Sequence, residues 1–352
     1  MVRMVVARGR RSTDASYMEV LVIGAGIAGL TCARRLIAKG HVVTIVDKGR
    51  GVGGRLATRR VGGGSFDTGA QFISAREPAF AHELTAAGAT VWCHGFPVLG
   101  QDTLPDGHPR YRMPGGMNQL AKSLAHGLTV RDQLTVTGML IAGNRWQVSC
   151  TPGDLVKPGT IATGPVVTLS ADAVVLTAPA PQAVSLLSGF GITVPDAVLA
   201  IRYDPCLCLM LDYPTANEAL LPVPGGIQIT DDVAIGWISS QRSKGLRTAG
   251  DGMIVHATGA WSATHYGLGD TDILTTLRPL AEAALRRAGI TSLAAECHLK
   301  KWKFSLPTAT IAAPCVRVPA AAPLLLAGDS FGNRPRVEGA WLSGCAAAES
   351  IA

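Results

Sequence analysis

The chain has 352 residues, 47% of them hydrophobic and only 16% charged, with 41 glycines. That balance supplies apolar surface for about two domains and excludes a disordered tail, a coiled coil and a collagen-like repeat. The net charge is +7, of which the arginine-rich residues 1–17 carry +3, and the remaining +4 suits an anionic small ligand rather than a nucleic-acid groove. Residues 1–17 read as an extension ahead of Met18. Arg10-Arg11 is faintly like a twin-arginine signal, but the apolar stretch after it turns at once into a phosphate-binding motif. Glu19–Ile23 reads as a strand, Gly24-Ala25-Gly26-Ile27-Ala28-Gly29 as a glycine-rich turn, residues 30–38 as a helix, and residues 41–46 as a second strand ending in Asp47. In this β-α-β unit Gly24 permits the tight turn, Gly26 admits a pyrophosphate, and Gly29 lets helix and strand pack closely. The helix N-terminus, with Ile27 and Ala28, offers amides to the phosphates, and Asp47 is placed for ribose hydroxyls.

A second basic glycine-rich loop follows, Lys48-Gly49-Arg50-Gly51-Val52-Gly53-Gly54-Arg55, suited to wrapping the diphosphate from its other side. Flavoproteins that bury FAD need such a loop, whereas simple NAD dehydrogenases do not. Met113-Pro114-Gly115-Gly116-Met117 opens a helix through residue 124, and strands are expected near 134–136, 145–150 and 172–177, with a loop over 151–165. From residue 192 the texture becomes alternating, at 206–212, 226–230, 233–239, 253–258 and 299–304, with a helix at 271–288: an antiparallel sheet with a helix. A strand at 323–327 ends in Gly328-Asp329, and a last helix starts at Gly339. The longest uncharged run, 173–195, is broken by Pro179, Pro181, Gly189 and Gly191, so no membrane span is expected. Eight scattered cysteines without a CxxC pair read as reduced core residues of a cytoplasmic protein, and no His/Cys spacing suggests a metal site.

In the same order, the GxGxxG unit, Asp47, the Gly53-Gly54-Arg55 loop, Gly115-Gly116-Met117, the 172–178 strand and Gly328-Asp329 resemble the FAD-containing amine oxidase superfamily. Asp67-Thr68-Gly69-Ala70-Gln71-Phe72-Ile73-Ser74-Ala75-Arg76, His256-Ala257-Thr258 and Arg336-Val337-Glu338-Gly339-Ala340-Trp341-Leu342-Ser343-Gly344 are similar to its bacterial renalase-like branch. The resemblance implies an α/β fold: a Rossmann-like FAD-binding domain with a parallel sheet (18–75, 111–190 and 318–352) and an α+β substrate domain on an antiparallel sheet (76–110 and 191–317). It implies non-covalent FAD, with Asp329 beside Gly328 at the ribityl or pyrophosphate part and the Glu338-Gly339-Ala340 backbone facing the flavin pyrimidine. Val136 would lie against the adenine, and Ala70, Gln71, Phe72 and Arg76 near the flavin edge or the substrate.

The resemblance further implies oxidation of 2- or 6-dihydro-NAD(P) to NAD(P)+, with oxygen giving hydrogen peroxide. An amine oxidase is the first alternative, and a non-redox flavoprotein isomerase the second. Candidate walls for a hydride donor are Phe72, Trp237, Trp261, Trp302 and Trp341, with Trp341 ranked first because it follows the flavin-facing turn. His256 and His265 flank Trp261, and each is open to substrate contact or to structural hydrogen bonding. Lys301 or Lys303 is open to the water-bridged N5 lysine role of amine oxidases, or to plain solvation on a strand. Gly328-Asp329-Ser330-Phe331-Gly332 also satisfies GxSxG, but a hydrolase elbow needs a histidine after the serine and the last is His298.

Overall fold

A computed structural model describes residues 17–101, 106–153, 164–213 and 221–351. The expected extension at residues 1–16 and the tip of the 151–165 loop, residues 154–163, lie outside the described residues. The first sheet has six strands in the order Val316–Arg317, Leu324–Leu326, Ala173–Leu176, Glu19–Ile23, Val42–Val46, Val130–Arg131. All pairs are parallel except Val316–Arg317 with Leu324–Leu326. The strand residues alternate between two cores, as a period of two requires. Val20, Val22, Val43, Ile45, Val175 and Leu325 meet helices on one face, while Leu21, Ile23, Val46, Val174, Leu176 and Leu324 meet the other layer.

The helical layer contains Ile27–Ala38, Asn118–Ala125 and Val337–Glu349. Opposite it lie an antiparallel three-stranded sheet, Leu134–Ala142, Arg145–Pro152 and Val167–Ala171, and the helix Ala180–Gly189. That helix was not expected. Pro179 and Pro181 stand at its start, where a missing N–H costs nothing.

The second sheet is antiparallel, in the order Gly226–Gln228, Ile235–Ser240, Asp251–Ala257, Arg202–Tyr213, Glu296–Ala309. One face, with Leu207, Leu209, Leu211, Met253 and Val255, is covered by the helix Asp270–Arg287 through Ile273, Leu277, Ala281 and Leu285. The other face, with Cys208, Met210, Ile254 and Trp302, packs on Phe66 of the hairpin Thr58–Val61/Gly64–Asp67. The site forms where this face meets the loops at the carboxyl ends of the parallel strands. Among the described residues no helix is long and apolar enough to cross a membrane.

The grouping of 76–110 with the second sheet needs correction. The helix Pro78–Ala86 buries Phe80 and Leu84 in the core of the first sheet, because these are its two large apolar anchors and they meet the helical layer. Only the later part of the segment joins the second sheet, through Phe96 against Trp237 and the Leu99 amide donating to Gln228 O.

Candidate active site

The glycine-rich turn has the geometry that its sequence asks for. Gly24 has φ +114°, and its N–H donates to Val46 O at 2.8 Å. A Cβ on Gly29 would stand 2.0 Å from Gly24 O, so that position tolerates no side chain. Gly26 is different: a Cβ there would meet nothing within 4 Å. It N-caps the helix Ile27–Ala38, which begins earlier than the sequence reading placed it, and no side chain caps its first turn. The amides of Ile27 and Ala28 therefore address an open space at a positive helix end.

The second loop closes over the first. Gly53 (φ +114°) donates its N–H to Ala25 O at 2.8 Å, and a Cβ on Gly54 would lie 3.9 Å from Gly26 Cα. Asp47 joins the two loops, accepting from Ala25 N at 2.6 Å and Gly49 N at 2.7 Å, while Lys48 beside it is exposed. Gln133 and Leu134 donate their amides to Gly49 O and Asp47 O, and so bring Val136 to the same corner.

Arg55 and Asp329 form a bidentate pair at 2.5 and 2.7 Å. Tyr203, which the sequence reading did not single out, donates to Asp329 at 2.7 Å, and the Arg55 guanidinium lies 5.5 Å from its ring. Arg55 also donates to Ser305 O at 3.1 Å. Burial first, and then Asp329, pushes the Tyr203 hydroxyl well above its usual range, so it stays a donor. Asp329 is thereby fixed by three donated hydrogen bonds at the end of the strand Leu324–Leu326. Gly328 N donates to Ser343 Oγ in the last helix at 2.9 Å. Ser330 is fully buried and presents no exposed nucleophile.

The last helix begins at Val337. A Cβ on Gly339 would stand 1.6 Å from Arg334 O, which explains the glycine. Glu338 does more than lend its backbone. Its carboxylate accepts from the amides of Arg76 and Glu77, at 2.6 and 2.8 Å, and ties this helix start to that of Pro78–Ala86. Arg76 itself is exposed.

Thr68 is the hub of the remaining site. Its carbonyl accepts from Trp302 Nε1 at 2.8 Å and lies 3.2 Å from His256 Nε2. Ala70 N donates to Arg55 O at 3.0 Å. Gln71 turns inward: its amide donates to Asp67 O and Gly69 O and accepts from Ser239 Oγ at 2.8 Å. Beneath lies a lysine that sequence reading missed. Lys244 and Asp67 are both fully buried, 2.5 Å apart. Lys244 stands in Gln241-Arg242-Ser243-Lys244-Gly245, which reads as a solvated polar turn and carries no signal of burial.

Phe72 belongs to an aromatic cluster with Phe96 at 4.9 Å and Trp237 at 5.8 Å, extended by Trp92 against Phe96. The Arg110 guanidinium lies 5.8 Å from the Phe72 ring. Trp341 is not part of this wall. It packs at 5.4 Å on Phe80 and under Arg35 in the core of the first sheet, because its helix face turns away from the open loop. Trp261 stacks on His265 at 3.7 Å in the helix Gly259–His265. Lys301 pairs across the sheet with Leu207, on the helix-covered face, and donates to Leu268 O, while Lys303 is exposed. Neither lysine reaches Thr68.

Burial pushes His256 down to about 4, so the ring is neutral at physiological pH. An unfolded histidine titrates near 6.5 and takes up a proton that the folded ring refuses, so this residue makes stability fall as pH drops from about 6.5 to about 4. Replacing His256 with Gln is expected to remove about 2–3 kcal/mol of that pH dependence. Urea unfolding at stepped pH measures it.

The pattern of a flavin containing amine oxidoreductase matches residues 98–352, and that of an NAD(P)-binding Rossmann-like domain matches residues 22–86. The chain belongs to this amine oxidoreductase family. Its cofactor is FAD, and the open turn at Gly26, the uncapped amides of Ile27 and Ala28 and the anchored Asp329 fit a dinucleotide. Over 56 residues the chain is 46% identical to a 4,4'-diapophytoene desaturase (4,4'-diaponeurosporene-forming) of Staphylococcus haemolyticus, covering 16% of this chain and 11% of the relative. The chain thus matches only about a tenth of the length of such curated relatives. Among solved structures, a candidate protoporphyrinogen oxidase from Exiguobacterium sp. 255-15 superposes with a TM-score of 0.71 at 14% identity, covering 96% of this chain and 99% of that one. A wild-type putrescine oxidase bound to putrescine gives 0.65 at 13% identity, covering 95% and 99%. At such identities the likeness establishes the fold.

Proposed function

We propose that this family member is an oxidase of dihydronicotinamide isomers, converting 2- or 6-dihydro-NAD(P), oxygen and a proton to NAD(P)+ and hydrogen peroxide. Bound FAD would supply the hydride acceptor and pass the electron pair to oxygen. The amides of Ile27 and Ala28 and the Gly54-Arg55 loop would hold the diphosphate, with Asp47 and Lys48 at the ribose and Val136 at the adenine. Asp329, beside Gly328, would take a ribityl hydroxyl, and the Glu338-Gly339-Ala340 amides would face the pyrimidine. Thr68, Ala70 and Gln71, fixed by Trp302, Arg55 and Ser239, would form a rigid floor beside the reacting carbon, with His256 supporting that floor as a neutral ring.

The observation that carries this reading is the wall beyond the floor. Phe72, Phe96, Trp92 and Trp237 offer flat apolar faces, and the Arg110 guanidinium stands over Phe72. A flat ring suits such a wall, whereas the flexible chain of a diamine offers it no face to stack on; the Arg110 guanidinium over Phe72 is itself paired with Asp106. The eight thiols are all unpaired, and we place the reaction in the reducing cytoplasm. We also propose non-covalent flavin, since Cys345 lies two turns beyond the last helix's start and Cys315 contacts Ser350 at its far end.

The test is anaerobic mixing of the yellow protein with borohydride-reduced NAD+, which holds the 2-, 4- and 6-dihydro isomers, against authentic 4-dihydro NADH and against putrescine. Rapid flavin bleaching by the mixture alone is expected. Bleaching by the amine alone would move the assignment to amine oxidation, and no bleaching by any donor would leave a non-redox isomerase.

A further inference from the structure

Three indoles in the described residues have carbonyl acceptors: Trp92 on Pro224 O at 2.8 Å, Trp146 on Pro323 O at 3.0 Å and Trp302 on Thr68 O at 2.8 Å. Trp237 has none. Its residue is 8% exposed, its Nε1 is buried, and no acceptor among the described residues reaches it. Folded proteins seldom leave such a donor unsatisfied, and an orphan beside a site is a place where a ligand atom can complete the bond. Trp341 also lacks an acceptor, but its ring is enclosed between Phe80 and Arg35 on the helical side of the first sheet.

The position of Trp237 says what kind of atom arrives. It pairs across the sheet with His256, whose ring lies on Thr68 O, so it stands on the face turned to the Thr68–Phe72 floor. Its Cη2 packs where a Cβ on Gly226 would lie at 3.0 Å, and its ring meets Phe96 edge-on at 4.8 Å. The ring is therefore wedged and the direction of its N–H is fixed. Serving it takes a hydrogen-bond acceptor on a flat molecule that can lie against Phe72 and Phe96. A protonated diamine carries donors only and would leave the orphan in place.

We propose that Trp237 is a specificity-determining residue, its indole N–H donating to the carboxamide oxygen of the dihydronicotinamide ring. This rests on the reading given under Proposed function, but it asks for a separate result. The holoenzyme would be titrated with NAD+, and with the analogue dinucleotide whose pyridine lacks the carboxamide, by flavin difference spectroscopy. KM would be taken with the reduced isomers. In wild type, NAD+ is expected to bind about ten-fold more tightly than the analogue. Trp237→Phe keeps an aromatic ring and removes the donor. It should bind NAD+ about ten-fold more weakly, cease to distinguish the two dinucleotides, and show most of its kinetic loss in KM.

Equal binding of NAD+ by wild type and Trp237→Phe, with the wild-type flavin still bleached by the isomers, would overturn this role and leave the reaction standing. A wild type that is not bleached and does not bind NAD+ would overturn both. If the variant fails to fold or loses its flavin, the wild-type comparison decides alone: failure to discriminate against the analogue overturns the proposal.

Discussion

Replacing Lys244 with Ala is expected to lower the unfolding midpoint by about 10 °C. Lys244 and Asp67 are both fully buried, and burial pulls the lysine below its usual range while Asp67 pulls it back. Asp67 also accepts from Thr58 Oγ1 at 2.6 Å and from Met117 N at 2.8 Å, and its own N–H donates to Gln241 Oε1 at 2.9 Å. Without the ammonium, a carboxylate stays in the interior with neutral donors only. Losing one partner of a buried pair costs about 3–5 kcal/mol. Each kcal/mol shifts the midpoint by about 2–4 °C in a chain of this order of size.

The control is the double variant Lys244→Met with Asp67→Asn. It removes both charges, keeps an acceptor for Thr58 and Met117, and should recover more than half of the loss. Thermal and urea unfolding of the flavin-loaded protein measures this. If Lys244→Ala unfolds within 2–3 °C of wild type, roughly what 1 kcal/mol produces, then the pair is not what fastens the second sheet to the Thr68 hub. The consequence for function is direct, because Asp67 precedes the carbonyl that holds both Trp302 and His256.

The contrast between this pair and the glycine-rich turn shows what a sequence makes legible. Gly24, Gly26 and Gly29 act within a few residues of one another, and the two-residue period of Glu19–Ile23 is local, so the β-α-β unit could be read directly. The antiparallel strands were readable for the same reason, although most run longer than their alternating centres suggested. Lys244 and Gln241 look like any solvated turn. Their burial comes from a contact across 174 residues, and Ser239 meets Gln71 across 168. Tyr203 is likewise set by Asp329, 126 residues away.

Trp341 shows the opposite error. It follows the turn expected to face the flavin, but closeness in sequence does not fix which side of a helix a residue occupies, and the ring packs on Phe80 in the core of the first sheet instead. The helix Pro78–Ala86 carries little signal in the sequence because only Phe80 and Leu84 mark its buried stripe.

Substituting Gly344 with Val is expected to strip most of the flavin from the protein while leaving it folded. Gly344 lies in the last helix where that helix crosses Ile27–Ala38, and a Cβ there would stand 2.3 Å from Ala28 O. Ala28 is in the first turn, whose uncapped amides face the open space at Gly26, where we place the phosphates, and Gly339 sets the start of the crossing helix against Arg334. The first turn of one helix thus meets the middle of the other through a close backbone approach. A valine must push the helices apart, and overpacking of this kind costs about 1–3 kcal/mol. The displacement falls on the two ends that address one dinucleotide, so much of that cost appears in binding, as roughly a 10- to 100-fold weaker FAD affinity. Ala346→Val, on the half-exposed side of the same helix, adds the same bulk away from the crossing and should keep wild-type flavin content. The ratio of flavin to protein absorbance after gel filtration, and the Kd on reconstitution with FAD, measure both. Full flavin retention in Gly344→Val would mean that the helix ends are not coupled through this crossing. The dinucleotide would then be held by the Arg55–Asp329–Tyr203 cluster and the two loops alone.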